Sequence, residues 1–271
     1  MVGITGKTRI AKSSYETNND AITAERKEPM LAYTEIGTGL PVILIHGLGS
    51  KKEAWHPQHV LGRKYRLIMP DLRGHGETEL EDDITLPNFA KDILELMDSL
   101  NIMQAVICGL SLGGIIAQEI YKQAPKRVSK LILANTAAYI SPFFVQGYIA
   151  ATERCYQDKD YPYQIATRGL YRPEYTVYAA ERFLIRKCYM DAFRAPIGIN
   201  YFPLLWTIDI PVLLIGSRQD KVTPIMNMHM MALCIRRVRK VIFDECGHLS
   251  NIEKGFEFNR AVDTFIQGVS A

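Results

Sequence analysis

The sequence predicts an α/β protein, a mostly parallel central sheet flanked by helices, with a helical lid inserted over the sheet. Three observations predict it. From Leu31 onward, short apolar runs alternate with longer segments of helical period. One of these runs enters a helical pattern directly through Gly109-Leu110-Ser111-Leu112-Gly113. Between Ser141 and Trp206 the alternation stops and aromatic residues crowd together. A length of 271 residues suits a single sheet, so residues 31–271 are expected to form one domain behind a polar N-terminal segment, residues 1–30.

In chain order, the expected strands are Leu31–Ile36, Val42–Ile45, Leu67–Met69, Ala105–Cys108, Leu131–Ala134, Val212–Ile215 and Val241–Phe243. Between the third and fourth, Leu86 to Leu100 places Leu86, Phe89, Ile93, Leu96, Met97 and Leu100 on one helical face, with Lys91, Asp92, Glu95 and Asp98 mostly opposite. Leu112–Gln123 reads as a helix opened by two glycines. Residues 141–206 form the expected lid, since ten of the fourteen tyrosines lie from Tyr139 to Tyr201 and amphipathic rings suit a surface that is part apolar and part wet. The spacing of Phe258, Val262, Phe265 and Ile266 predicts a closing amphipathic helix.

Composition excludes several classes of function. Apolar residues at 48% and charged residues at 23% describe an ordinary folding chain and argue against disorder. The net charge of +3 is spread without a basic stripe, which argues against nucleic acid as a partner. Apolar runs such as Pro41 to Ile45 fall far short of the roughly 20 residues that span a bilayer, so no membrane span is expected. Residues 1–30 lack the apolar stretch of a signal peptide, and five scattered cysteines without a C-x-x-C pair suit reduced thiols; both point to the cytoplasm. Gly6-Lys7-Thr8 has no preceding glycine or apolar strand to make a phosphate loop and reads as part of a solvated tail.

The chemistry centres on Ser111. A serine becomes a useful nucleophile when it projects from a tight strand-to-helix turn, and the glycines of G-x-S-x-G let the backbone make that turn. The hydroxyl then needs a base, and the base needs an acid to orient it. His248, in the loop after the last expected strand, is the candidate base, and Asp220, in the loop after the preceding strand, is the candidate acid. An acyl-transfer intermediate also needs two N–H donors; the backbone amides of Leu48, in the loop after Val42–Ile45, and Leu112 are the candidates.

His46-Gly47, Asp71-Leu-Arg-Gly-His75-Gly76, Gly109-Leu-Ser111-Leu-Gly113-Gly114, Asp220 and Gly247-His248, in the chain order Ser, Asp, His, resemble the α/β-hydrolase fold enzymes of the esterase and lactonase type. The likeness covers about Leu31 to Gln267 apart from the lid. Trp55-His-Pro-Gln58, Cys108-Gly-Leu-Ser-Leu-Gly-Gly, Arg127-Val and Asn135-Thr-Ala-Ala138 are similar to the wording of 3-oxoadipate enol-lactonases. The resemblance implies a serine hydrolase that cleaves a small-molecule ester or lactone without cofactor or metal. It also implies that Asp71 to Gly76 is a structural loop near the active-site mouth and that His75 is a hydrogen-bonded loop residue.

Other groups read as structural. His46 is not expected to be catalytic, His56 and His59 are expected at the surface, and Cys108 and Cys246 are expected to be packing thiols. Arg168, Arg172, Arg182, Arg186 and Arg194 could supply a cation for an acidic substrate, but the acids interspersed with them favour a solvated helix face. The same serine, histidine and aspartate could instead serve carbon–carbon bond hydrolysis or cofactor-free perhydrolysis, or persist in a small-molecule receptor. Turnover of an activated ester separates an enzyme from a receptor.

Overall fold

The computed structural model describes residues 7–9 and 30–268. Its centre is an eight-stranded sheet of β1 (Lys7–Arg9), β2 (Tyr33–Ile36), β3 (Pro41–Ile45), β4 (Arg66–Pro70), β5 (Ala105–Leu110), β6 (Val128–Ala134), β7 (Val212–Ser217) and β8 (Val238–Phe243). The spatial order is β1-β2-β4-β3-β5-β6-β7-β8, antiparallel where β1 meets β2 and β2 meets β4, and parallel from β4 onward. All seven expected strands are present. The eighth, β1, falls within the segment expected as a solvated tail and pairs Lys7 with Glu35 and Arg9 with Tyr33. The rest of residues 1–29 lies outside the described residues.

The central strands are buried on both faces, as parallel strands under two helical layers must be. β5 and β7 are buried along their whole length. Alternation within each strand divides the core: Ile43, Ile45, Ile107, Leu131 and Leu133 enter one hydrophobic cluster, while Val42, Leu44, Val106, Cys108 and Ile132 enter the other. At the edge, β8 exposes Arg239 and Lys240, charges that discourage further strand pairing.

Two helices follow β4 and β5: α1 (Leu86–Ser99), capped by Thr85 Oγ1 accepting the Asn88 N–H at 3.3 Å, and α2 (Leu112–Gln123). Between β6 and β7 the chain makes the short helices α3 (Pro142–Glu153), α4 (Tyr161–Gly169), α5 (Thr176–Ala180), α6 (Tyr189–Arg194) and α7 (Phe202–Leu205), which is the expected helical insertion. Then come α8 (Met226–Cys234), α9 (Ser250–Glu253) and α10 (Gly255–Gln267), the last closed by Gly268 in the left-handed region at φ 74°. Phe89, Ile93, Met97, Ile116 and Ile120 of α1 and α2 pack on one sheet face; Phe258, Val262, Phe265 and Ile266 of α10 join Trp55 on the other. Among the described residues no helix is long and apolar enough to cross a membrane.

Candidate active site

The site lies beyond the carboxyl ends of the parallel strands, where β5 turns into α2. Ser111 holds φ 57° and ψ −120°, a conformation few residues with a Cβ adopt, and it projects the side chain from a sharp elbow. The flanking glycines are dictated by space. A Cβ on Gly109 would lie 2.1 Å from the Gly113 carbonyl oxygen, and one on Gly113 would lie 2.1 Å from the Ile45 oxygen. The elbow is held by the Ser111 N–H donating to Ala134 O at 3.0 Å and by Thr136 Oγ1 donating to Ser111 O at 2.7 Å.

Asp220 and His248 stand on the loops that follow β7 and β8. His248 Nδ1 and Asp220 Oδ2 are 2.9 Å apart, both residues being buried. The remaining acceptor capacity of Asp220 is filled by the N–H groups of Val222 and Thr223 at 2.8 and 2.9 Å, by Thr223 Oγ1 at 2.8 Å and by Asn135 Nδ2 at 2.9 Å. Burial pushes the Asp220 carboxyl up, but the His248 charge and these hydrogen bonds outweigh it and hold the acid below its ordinary range. Ser111 and His248 line the same cavity without a hydrogen bond between them.

That cavity has a volume of about 440 Å³, and Leu48 and Leu112 also line it. Leu112 opens α2, so its N–H is one of the first-turn amides that have no acceptor within the helix. Gly47, just before Leu48, brings its loop so close that a Cβ there would sit 3.3 Å from Ser111 Cβ. The insertion supplies much of the wall, through Val145, Tyr161, Arg168, Phe183, Tyr189 and Phe193 among others. All five sequence-predicted positions therefore border one space, or hydrogen-bond directly to a residue that does.

Three supporting residues are given no role by the sequence, although Asn135 stands in one of the stretches that carry the resemblance. Asn135, at φ 44° directly after β6, donates to Asp220 and accepts from Ser250 Oγ at 2.6 Å. Thr223 bridges Asp220 and His248 Nδ1, the latter at 3.3 Å. Glu253, buried in α9, accepts the Gly247 N–H at 2.8 Å on one oxygen and those of Tyr171 and Arg172 at 2.9 and 2.8 Å on the other. The available signal was positional: a polar residue just past an apolar strand at the carboxyl edge of the sheet, as at Asn135.

The remaining histidines and thiols take structural places. His46 Nδ1 meets Gly47 O at 2.8 Å and its Nε2 accepts the Leu72 N–H at 3.1 Å; burial lowers its pKa to about 4. His75 Nδ1 meets Arg73 O at 2.8 Å, and burial together with the His46 charge lowers its pKa to about 3. In the same loop Asp71 takes the Lys52 ammonium at 2.8 Å and the Glu77 N–H at 2.9 Å. Cys108 and Cys246 are fully buried, and burial pushes the Cys246 thiol up to about 12. Among the described residues no cluster of His, Cys, Asp and Glu could hold a metal ion.

Residues 41–255 match the family described as alpha/beta hydrolase fold. The chain belongs to the α/β-hydrolase family. It is 28% identical to 3-oxoadipate enol-lactonase 1 of Acinetobacter baylyi over 84% of this chain and 89% of the relative. It is 30% identical to a candidate non-heme bromoperoxidase of Mycobacterium tuberculosis over 89% of this chain and 99% of the relative. Among solved structures it resembles a thermophilic esterase from Thermogutta terrifontis, with a TM-score of 0.80, 26% identity and coverage of 89% of this chain and 94% of the esterase. The protein is thus an α/β hydrolase, similar to enzymes named for lactone, ester and peroxidase chemistry.

Proposed function

We propose that this α/β hydrolase cleaves a carboxylic ester or lactone through Ser111, His248 and Asp220 and an acyl-enzyme intermediate. The observation that carries the reading is the strained Ser111 elbow opening into the cavity that His248, already bonded to Asp220 at 2.9 Å, also lines. With Nδ1 engaged by Asp220, Nε2 is the nitrogen left to take the serine proton as Oγ attacks the carbonyl carbon. The contact between Ser111 and His248 closes when substrate is bound, as is common for catalytic hydrogen bonds that are long in the free enzyme.

Attack places negative charge on the carbonyl oxygen, and the Leu48 and Leu112 amides are the donors that receive it. The intermediate collapses as His248 returns the proton to the departing alcohol oxygen, which in a lactone stays tethered to the acyl group. Water, deprotonated by His248, then attacks the acyl-enzyme and releases the acid with Ser111 restored. No step calls for a cofactor. The enol-lactonase and esterase relatives support this reading, while the bromoperoxidase relative keeps perhydrolysis as the second reading, and the five free cysteines suit a reducing compartment, the cytoplasm.

The test is turnover of a panel of esters and lactones of graded acyl size by wild type and Ser111→Ala. Turnover by wild type alone supports the reading. Ligand binding without turnover favours a receptor, and turnover only of a carbon–carbon substrate or only with peroxide moves the protein to the other chemistries of the family.

A further inference from the structure

Helix α8 is apolar on both sides. Met228, Met231 and Cys234 are buried in the cluster that α1 and α2 share with the sheet, while Met226, Met230 and Leu233, at the i, i+4, i+7 spacing of one helical face, are 61, 46 and 79% exposed. A surface helix ordinarily turns polar residues to water, so three large apolar side chains in one exposed stripe mark a contact surface. The stripe starts at the cavity rim: Val222, four residues before Met226, is exposed and lines the cavity with Lys221 and Pro224.

At its other end the stripe runs into positive charge. Arg236 and Arg237, directly after α8, are exposed, as is Lys240 of β8. Val238 and Ile242 pack against the same cluster as α8, so the alternation of β8 puts Lys240, between them, on the sheet face that α8 covers. From Lys221 to Phe243 the chain carries five Lys and Arg and no Asp or Glu, a local balance that the net charge of +3 conceals. Acids that flank the segment are engaged elsewhere: Asp244 pairs with Arg218, Glu245 with Arg172, and Asp209 takes the Tyr121 hydroxyl at 3.0 Å. The insertion is different, for Arg172, Arg182, Arg186 and Arg194 each face an acid, as on a solvated helix face.

Apolar prominences bordered by cations fit a surface that is apolar beneath an anionic layer. A second copy of the chain fits poorly, since pairing α8 with itself across a twofold axis would set these cations against one another with no carboxylate from the segment between them. A protein partner would need a pocket for each prominence, whereas fluid lipid needs none. We propose that the outer face of α8, with Arg236, Arg237 and Lys240, docks peripherally on a membrane rich in anionic lipid and brings the cavity rim at Val222 to the bilayer surface. This binding does not depend on the ester-hydrolase reading.

Co-sedimentation of the full chain with phosphatidylcholine vesicles, with and without about one-third phosphatidylserine, tests the proposal. Wild type should bind the anionic vesicles, leave them as salt rises, and bind the neutral ones about tenfold more weakly or less. Combining Arg236→Gln, Arg237→Gln and Lys240→Gln is expected to weaken binding about a hundredfold, at about fivefold per cation, and Met230→Ser with Leu233→Ser about tenfold. Both sets change exposed residues, so urea unfolding should stay near that of wild type. Arg63→Gln, Lys91→Gln and Lys159→Gln together remove the same charge from exposed positions elsewhere and should weaken binding only about twofold. Equal losses in that control, or binding that neither α8 variant weakens, would overturn the docking face. So would a wild type that leaves anionic vesicles unbound, whether it forms a dimer that Leu233→Ser abolishes or takes up an acidic amphipathic peptide instead.

Discussion

The His248 N–H donates to Gly169 O at 2.6 Å, so the loop carrying the candidate base hangs on the last residue of α4 in the insertion. Contact there is too close for any side chain: a Cβ on Gly247 would meet Gly169 O at 2.5 Å and Tyr171 N at 2.7 Å. Glu253 ties the same two segments by accepting N–H groups from Gly247 on one side and Tyr171 and Arg172 on the other. The end of α4 and the base loop are therefore joined directly, by the His248–Gly169 bond, and through Glu253.

Glu253→Ala removes a buried acceptor from three N–H donors and is expected to cost about 2 to 4 kcal/mol in urea unfolding. Glu253→Gln keeps a single carbonyl oxygen for those donors and should fall between wild type and the alanine variant.

Much of this arrangement was legible in the sequence, and the limits have physical causes. The central strands read clearly because burial on both faces leaves unbroken apolar runs, and α2 was placed to the residue because the glycine elbow fixes its start. β1 was not legible: Lys7-Thr-Arg9 carries no apolar pattern, and pairing with β2 gives it its place. Inside the insertion α4 to α7 are too short for a clear period and α3, as long as α2, has no distinct polar face, although Pro142, Pro162, Pro173 and Pro203 each stand in a helical first turn and could have marked the starts. Ser111, Asp220 and His248 announced themselves by order and by strand-end placement. Asn135, Thr223 and Glu253 did not, because hydrogen bonds between distant loops leave no periodic trace.

Ser111 pays for its position in backbone strain. Ser111→Gly relieves the φ of 57° and is expected to raise stability by about 1 kcal/mol in chemical denaturation while abolishing turnover. A loss of stability in that variant would mean the elbow is not strained.

Asn135→Asp tests the support beneath Asp220. Aspartate tolerates the φ of 44° as asparagine does, so the fold should survive. A second carboxylate oxygen 2.9 Å from Asp220 Oδ2 cannot be held as a second buried charge, so the two acids share one proton and the net charge beside His248 stays that of Asp220 alone. The shared proton and the lost amide donor weaken the support of Asp220, so kcat/KM is expected to fall about tenfold and urea unfolding to show a loss of about 1 to 3 kcal/mol; unchanged kcat/KM would mean that Asn135 does not support Asp220.

His46 and His75 should make the fold acid-sensitive. Their folded pKa values, about 4 and about 3, lie below the ordinary histidine value of 6.5, so the unfolded chain binds protons first as pH falls. Stability is therefore full above 6.5 and declines toward the folded values, by about 2 kcal/mol per histidine between about pH 8 and about pH 5. His46 shows why: a proton on Nε2 would confront the Leu72 N–H that it now accepts. Urea unfolding across that range should show the decline, and His46→Gln should reduce its steepness.

The most direct test of the central claim is reaction with a fluorophosphonate probe, followed by mass spectrometry of the labelled peptide. The account predicts a single adduct on Ser111, formed by wild type, absent in Ser111→Ala and strongly slowed in His248→Ala. Labelling at another residue, or no labelling of folded wild type, would contradict a Ser111 nucleophile activated by His248.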